Sequence, residues 1–284
     1  MQTERQTRKP RFPAVISAGL LHTAAGGTWP GVGLLALLGA LLRRLPGAGR
    51  CYSGWGKYAQ GLWSIFVAAQ VMHWTGTCWE DEAAAAWAPL VCLTVALWLA
   101  AKGPKALENA AGVLGLLQLG LGAAVLLAAV GEIRLQNLNP RLIWPSGWLL
   151  VLLLLPEERK RKSMAGLWAV LCSLVTVGVL GYVGEIGFYE MSKSIAFSGA
   201  VKRLEALAAV GLTAGFVLLL AKLLEGAAAE GKYWPGAVAA YVVFQSGFVI
   251  PGLYAAGISI VLWSLLPAFL GNGEKRDKTN ECGA

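Results

Sequence analysis

The chain has 284 residues, a formal net charge of +8, 56% hydrophobic and only 14% charged residues, and a mean hydropathy of +0.58. A soluble chain this apolar would have too little polar surface to cover its core. Nor does the basic balance point to nucleic acid, because the charges fall in short clusters between apolar runs, the pattern of loops between membrane spans.

The 36 glycines and 12 tryptophans suit close helix packing and interfacial anchoring in a bilayer. No glycine-rich phosphate loop, nucleophile elbow or HExxH is present, so no catalytic residue and no cofactor is expected. Cys51, Cys78, Cys92, Cys172 and Cys282 form no CxxC and have no histidine neighbours, which predicts neither a metal site nor a disulfide framework.

In chain order, residues 1–11 form a basic tail with Arg5, Arg8, Lys9 and Arg11. The stretch 12–29 is a poor span, broken by His22, Thr23, Gly26 and Gly27; it reads as a shortened or broken first helix, with a signal peptide as the alternative. A span needs about 20 mostly apolar residues. The clearest are 84–101, 110–131, 165–187, 204–224 and 235–256, with shorter or more polar candidates at 31–46, 59–75 and 258–270. The run 143–155 is just over half a span, closed by Pro156 and the charged cluster Glu157–Lys162. Residues 271–284 form a polar tail.

Loop charge sets an orientation. If 31–46 runs outside to inside and the later segments alternate, the inner loops carry Arg43, Arg44, Arg50, Lys57, Lys102, Lys105, Arg159, Lys160, Arg161, Lys162, Lys222, Lys232, Lys275, Arg276 and Lys278. The outer side carries Arg134, Arg141, Lys193, Lys202 and Arg203, together with the acidic loop Glu80, Asp81 and Glu82. Fifteen basic residues against five support the alternation, require 143–155 to cross or nearly cross, and leave the C-terminus cytoplasmic. The expected fold is an all-α polytopic transmembrane helix bundle over residues 12–270, in an integral, multi-pass protein of a cell or spore inner membrane.

Several polar features stand out against this background. Gly178, Gly181, Gly184 and Gly187 recur every third residue, as a close-packing face or as a place where the helix unwinds toward a ligand. Glu185 lies near the end of that run, in the outer interface or at a ligand site. Glu190 and Lys193, then Lys202 and Glu205, are spaced i,i+3 on an amphipathic stretch that suits either a solvated surface helix or an outer gate. Gln70, His73, Gln118, Ser173, Thr176, Gln245 and Ser246 sit inside spans, where bonding to neighbouring helices is the expectation. His73 is also a proton-relay candidate near the outer end.

The block FYEMSKSIAFSGAVKRLEAL (188–207), followed by an apolar span, resembles the spore germination permease family, the membrane subunit of germinant receptors. Ser192, Ser194, Ile195, Arg203, Leu204, Glu205, Ala206 and Leu207 carry the match. Shorter pieces at 25–47, 102–114, 137–145 and 155–162 follow in the same order. The resemblance implies an inverted-repeat, transporter-like architecture, here shortened in its first and sixth helices to about nine spans. It also implies a permease-like subunit that senses a small nutrient such as an amino acid and signals to other receptor subunits. Ligand binding or gating would then fall to Gly181, Gly184, Glu185, Glu190 and Lys193, and coupling to Arg203 and Glu205. Two alternatives accompany it: an ion-coupled amino acid transporter, and a non-transporting membrane scaffold. Lipid, sister subunits and a small ligand are the expected partners, and nucleic acid is not.

Overall fold

The computed structural model describes residues 38–39, 41–42, 45, 55–77, 79, 82–103, 105–107, 109–114, 147–155, 204–228 and 232–267. Most of these residues are helical, with no strand among them, so the all-α expectation holds for the described part. The helices are α1 (Trp55–Thr77), α2 (Glu82–Ala101), α3 (Gly147–Leu153), α4 (Leu204–Ala227), α5 (Trp234–Gln245) and α6 (Gly252–Ile260), the last continuing into a π-helical stretch at Val261–Leu265. At 1.5 Å per residue, α1 and α4 are about 34 and 36 Å long and α2 about 30 Å. Among the described helices α2 is the one long and apolar enough, by length and composition, to cross a membrane; the 252–265 segment is apolar but shorter.

The packing follows from small residues placed where backbones meet. At Gly61 an added Cβ would touch the backbone of Ala227 at 3.7 Å, and at Gly226 it would lie 3.3 Å from Ser64 Oγ. Small side chains at such crossings let helices approach closely. Trp74, thirteen residues beyond Gly61, meets Phe216 in a tilted contact with ring centroids 6.1 Å apart, so α1 and α4 run antiparallel. A Cβ on Gly76 would come within 3.2 Å of the Ala85 carbonyl. Pro89, one turn further along α2, has no N–H to offer that carbonyl. Glycine at 76 lets the end of α1 settle beside it, and α2 returns antiparallel to α1.

Gly236 opens α5 against Ala227 and Leu224, and His73 meets Phe244, so α5 climbs parallel to α1. The resulting arrangement gathers Lys57, Lys102 and Lys232 at one end of the described bundle and Glu82 at the other. Its core is aliphatic and aromatic: Val67, Met72, Leu150, Val151, Leu152, Phe216, Leu219 and Trp263 are among the fully buried side chains.

Two predicted spans need correction. The run 235–256 is not one helix. α5 stops at Gln245, where Gly247 takes φ +68° and its N–H donates to the Phe244 carbonyl. That left-handed geometry suits glycine and ends a helix. Residues 248–250 are non-helical, and Pro251 at φ −58°, ψ 137° caps α6. The next helix therefore begins at residue 252, not 258. Within 143–155 the described residues 147–155 hold α3, Gly147–Leu153. It is enclosed by the bundle, with Trp148, Leu150, Val151 and Leu152 all buried. By contrast, 59–75, 84–101 and 204–224 match α1, α2 and α4 closely. The expected spans 12–29 and 165–187, and most of 31–46 and 110–131, lie outside the described residues.

Candidate functional site: the polar face of α1

Helix α1 carries the polar side chains that matter, and they fall into two groups along its length. The first is Gln60, Trp63 and Ser64, all buried. Trp63 Nε1 donates to Ser259 Oγ of α6 at 2.9 Å, and its ring leans on Trp263 with centroids 6.4 Å apart. Ser64 Oγ donates back to the Gln60 carbonyl at 2.9 Å.

The partner of Gln60 is explained by the π-helix. Leu266 N–H bonds to the Val261 carbonyl, five residues back, rather than to Leu262. The other helical donor in reach of the Leu262 carbonyl would be residue 267, a proline with no N–H. That stranded carbonyl accepts from Gln60 Nε2 in a long contact of 3.5 Å. Two residues on, Ser264 Oγ donates to the Leu42 carbonyl at 3.2 Å. These bonds join distant parts of the chain across the bundle interior.

The second group lies toward the other end of α1. Phe66, Gln70 and His73 are spaced i, i+4, i+7 and share one face. Phe66 meets Phe248 edge-on at 5.9 Å, and His73 meets Phe244 at 4.7 Å. Gln70, 6% exposed, therefore faces the place where α5 breaks. Here the polar atoms are not satisfied: Gln70 Oε1 and His73 Nε2 are buried without a hydrogen-bond partner. Trp79 Nε1, Thr213 Oγ1 and Trp263 Nε1 share that condition among the described residues. A buried polar atom left unpaired costs about 1–3 kcal/mol, so a pair on one face calls for an explanation.

The structure thus revises the expectation that the isolated polar residues bond to neighbouring helices. Gln245 Nε2 donates to Tyr241 OH and Ser246 Oγ to the Val243 carbonyl, both within their own segment. The interhelical bonds belong instead to Gln60, Trp63, Ser259 and Ser264, which the sequence reading passed over. Their signal was available as isolated polar residues in apolar surroundings. Gln118, Ser173 and Thr176 lie outside the described residues, as do Gly181, Gly184, Glu185, Glu190, Lys193 and Arg203. Glu205 is the second residue of α4. Among the described residues no group of three or more His, Cys, Asp or Glu side chains is placed to hold a metal ion.

The outward faces show the opposite chemistry. On α2, Trp87, Val91, Val95 and Trp98 are 64%, 56%, 43% and 60% exposed and follow one another at helical spacing. Trp234, Val238 and Val242 do the same on α5, and Tyr254, Ile258 and Val261 on α6 and its continuation. At the end of α2 the Lys102 ammonium sits 5.4 Å from the Trp98 ring centroid, a cation–π contact.

No family model, curated protein or solved structure matches the chain.

Proposed function

We propose that the chain is a polytopic membrane protein acting as a permease-like subunit of a spore germinant receptor, sensing a small nutrient such as an amino acid. The observation that carries the membrane part is the distribution of polarity. Large apolar side chains cover the outside of α2, α5 and α6, while Gln60, Ser64, Gln70 and Ser259 are buried. Each Val or Trp left in water instead of an apolar medium forgoes roughly 1.5–3 kcal/mol when fully exposed. Three such stripes would be a heavy burden on a water-soluble fold whose whole stability is about 5–15 kcal/mol. Lipid removes that burden.

The collection of Lys57, Lys102 and Lys232 at one end favours that end as cytoplasmic. The receptor role is supported by the 188–207 block, whose Glu205 is the second residue of α4; Arg203 and Glu205 would couple an outer segment to the bundle. The shortness of the apolar run 143–155 favours a subunit that senses or scaffolds over one that transports, because the run falls short of a full crossing.

Deleting the gene from a spore-forming host and scoring nutrient-triggered germination tests the role. The expected result is loss of response to at least one amino acid, restored by the wild-type gene. It should be restored poorly by Arg203→Ala or Glu205→Ala at equal protein level. An unchanged response in the deletion strain would refute the receptor role. Robust amino acid uptake by the purified chain in liposomes would favour the transporter alternative.

A further inference from the structure

We propose that the face of α1 bearing Phe66, Gln70 and His73, closed by Phe244 and Phe248 at the α5 break, is a binding site for a small primary ammonium ion. Three independent features point there. Gln70 Oε1 and His73 Nε2 are buried and unpartnered, and Gln70 is 6% exposed. An amide oxygen without a donor is an acceptor held ready, and a neutral imidazole nitrogen offers a second.

Aromatic rings gather on the same stretch of α1 and at the end of α5. The Phe66–Phe248 and His73–Phe244 pairs lie at 5.9 and 4.7 Å, and Tyr241 stands 6.2 Å from Phe244. Ring faces attract a cation without needing a carboxylate.

The third feature is access. Gln245, Ser246, Gly247, Phe248 and Val249 at the break are exposed, and the backbone at 248–250 leaves the helical ladder, so carbonyl groups there are free of helical geometry. Irregular backbone of this kind is tolerated at membrane depth only where it is enclosed by protein or meets water. The same end of the bundle carries Glu82, the exposed first residue of α2, and a carboxylate there raises the local concentration of cations. An anion meets none of these terms, and a fully alkylated ammonium meets the aromatic term alone.

This inference rests on the described helices and not on the receptor role. Ammonium binding by purified protein, combined with unaltered germination in a deletion strain, would leave the site standing and remove that role.

The test is calorimetric titration of the purified full-length chain in detergent micelles with n-butylammonium, tetramethylammonium and 1-butanol as probes. Butylammonium should bind, with tetramethylammonium and butanol each at least about tenfold weaker, because one lacks N–H donors and the other lacks charge. Gln70→Leu and the closely isosteric Gln70→Met should each weaken butylammonium about tenfold or more, with helix content and elution volume unchanged. Thr94→Val, an exposed site on α2 remote from the face, should bind as wild type. No binding of butylammonium to the wild type would overturn the proposal. Equal affinity for the three probes would do the same, as would full affinity in a folded Gln70 variant.

Discussion

Helix α2 displays its apolar side chains, and helix α1 hides its polar ones. Trp87, Val91, Val95 and Trp98 look outward from α2, whereas Gln60, Ser64, Gln70 and Thr75 of α1 are sealed inside. In a water-soluble bundle the two helices would have exchanged these habits. The contrast is the one expected if the medium around α2 is apolar, as proposed above, with the polar groups serving the interior.

Within α1 the contrast repeats on a smaller scale. The Gln60–Trp63–Ser64 end is bonded to α6, to the π-helix and to itself, and so fixes helix packing. The Gln70–His73 end holds polar atoms in reserve. A fully satisfied seam rigidifies a bundle, whereas a half-satisfied one is a place for a ligand or water.

These contrasts can be broken by substitution. The largest effect is expected from Trp63→Ala, which empties a buried site and strands Ser259; about 3–5 kcal/mol of stability should be lost, read as a sharply lowered Tm in detergent. Val91→Arg should come next. A guanidinium at the lipid-facing centre of α2 costs about 2.5–3.5 kcal/mol in membrane insertion, visible as reduced membrane-integrated protein, while the purified variant in detergent should keep its helix content. If Val91→Arg instead inserted normally, α2 would not face lipid.

Ser259→Ala should be milder, near 0.6 kcal/mol and at most about 2, the range for one interhelical bond within a membrane. A drop as large as that of Trp63→Ala would mean that Ser259 does more than accept one bond. The smallest effect belongs to Gln70→Leu. Since Gln70 Oε1 has no partner, exchanging the amide for an apolar side chain should leave thermal stability unchanged or slightly raised. A clear loss of stability there would show that the amide is structural.

Part of the fold was legible because long apolar runs mark helices by their hydropathy and length. The expected 84–101 and 204–224 became Glu82–Ala101 and Leu204–Ala227. The break inside 235–256 was missed for a physical reason: Phe248, Val249 and Ile250 are as apolar as any helical residue, so an averaged window runs through them. The backbone obeys Gly247 and Pro251 instead, both plain in the sequence. The π-helix was invisible, because it arises from Pro267 acting back on the previous turn together with Gln60 about 200 positions away. Gln70 and His73 were noticed as polar residues within a span. That their atoms lack partners depends on where α5 stops, which local sequence does not reveal.

The most direct measurement is solvent accessibility along α2 in lipid vesicles. Single cysteines would be placed in turn at residues 87–98 of a chain with its five native cysteines changed to serine, and each labelled with a nitroxide. At Val91→Cys and Val95→Cys, collision with oxygen dissolved in lipid should exceed collision with a water-soluble nickel chelate, and labels at 92, 93 and 96 should be shielded from both. Greater access to the nickel chelate at 91 and 95 would contradict the account, because the apolar face of α2 would then lie in water.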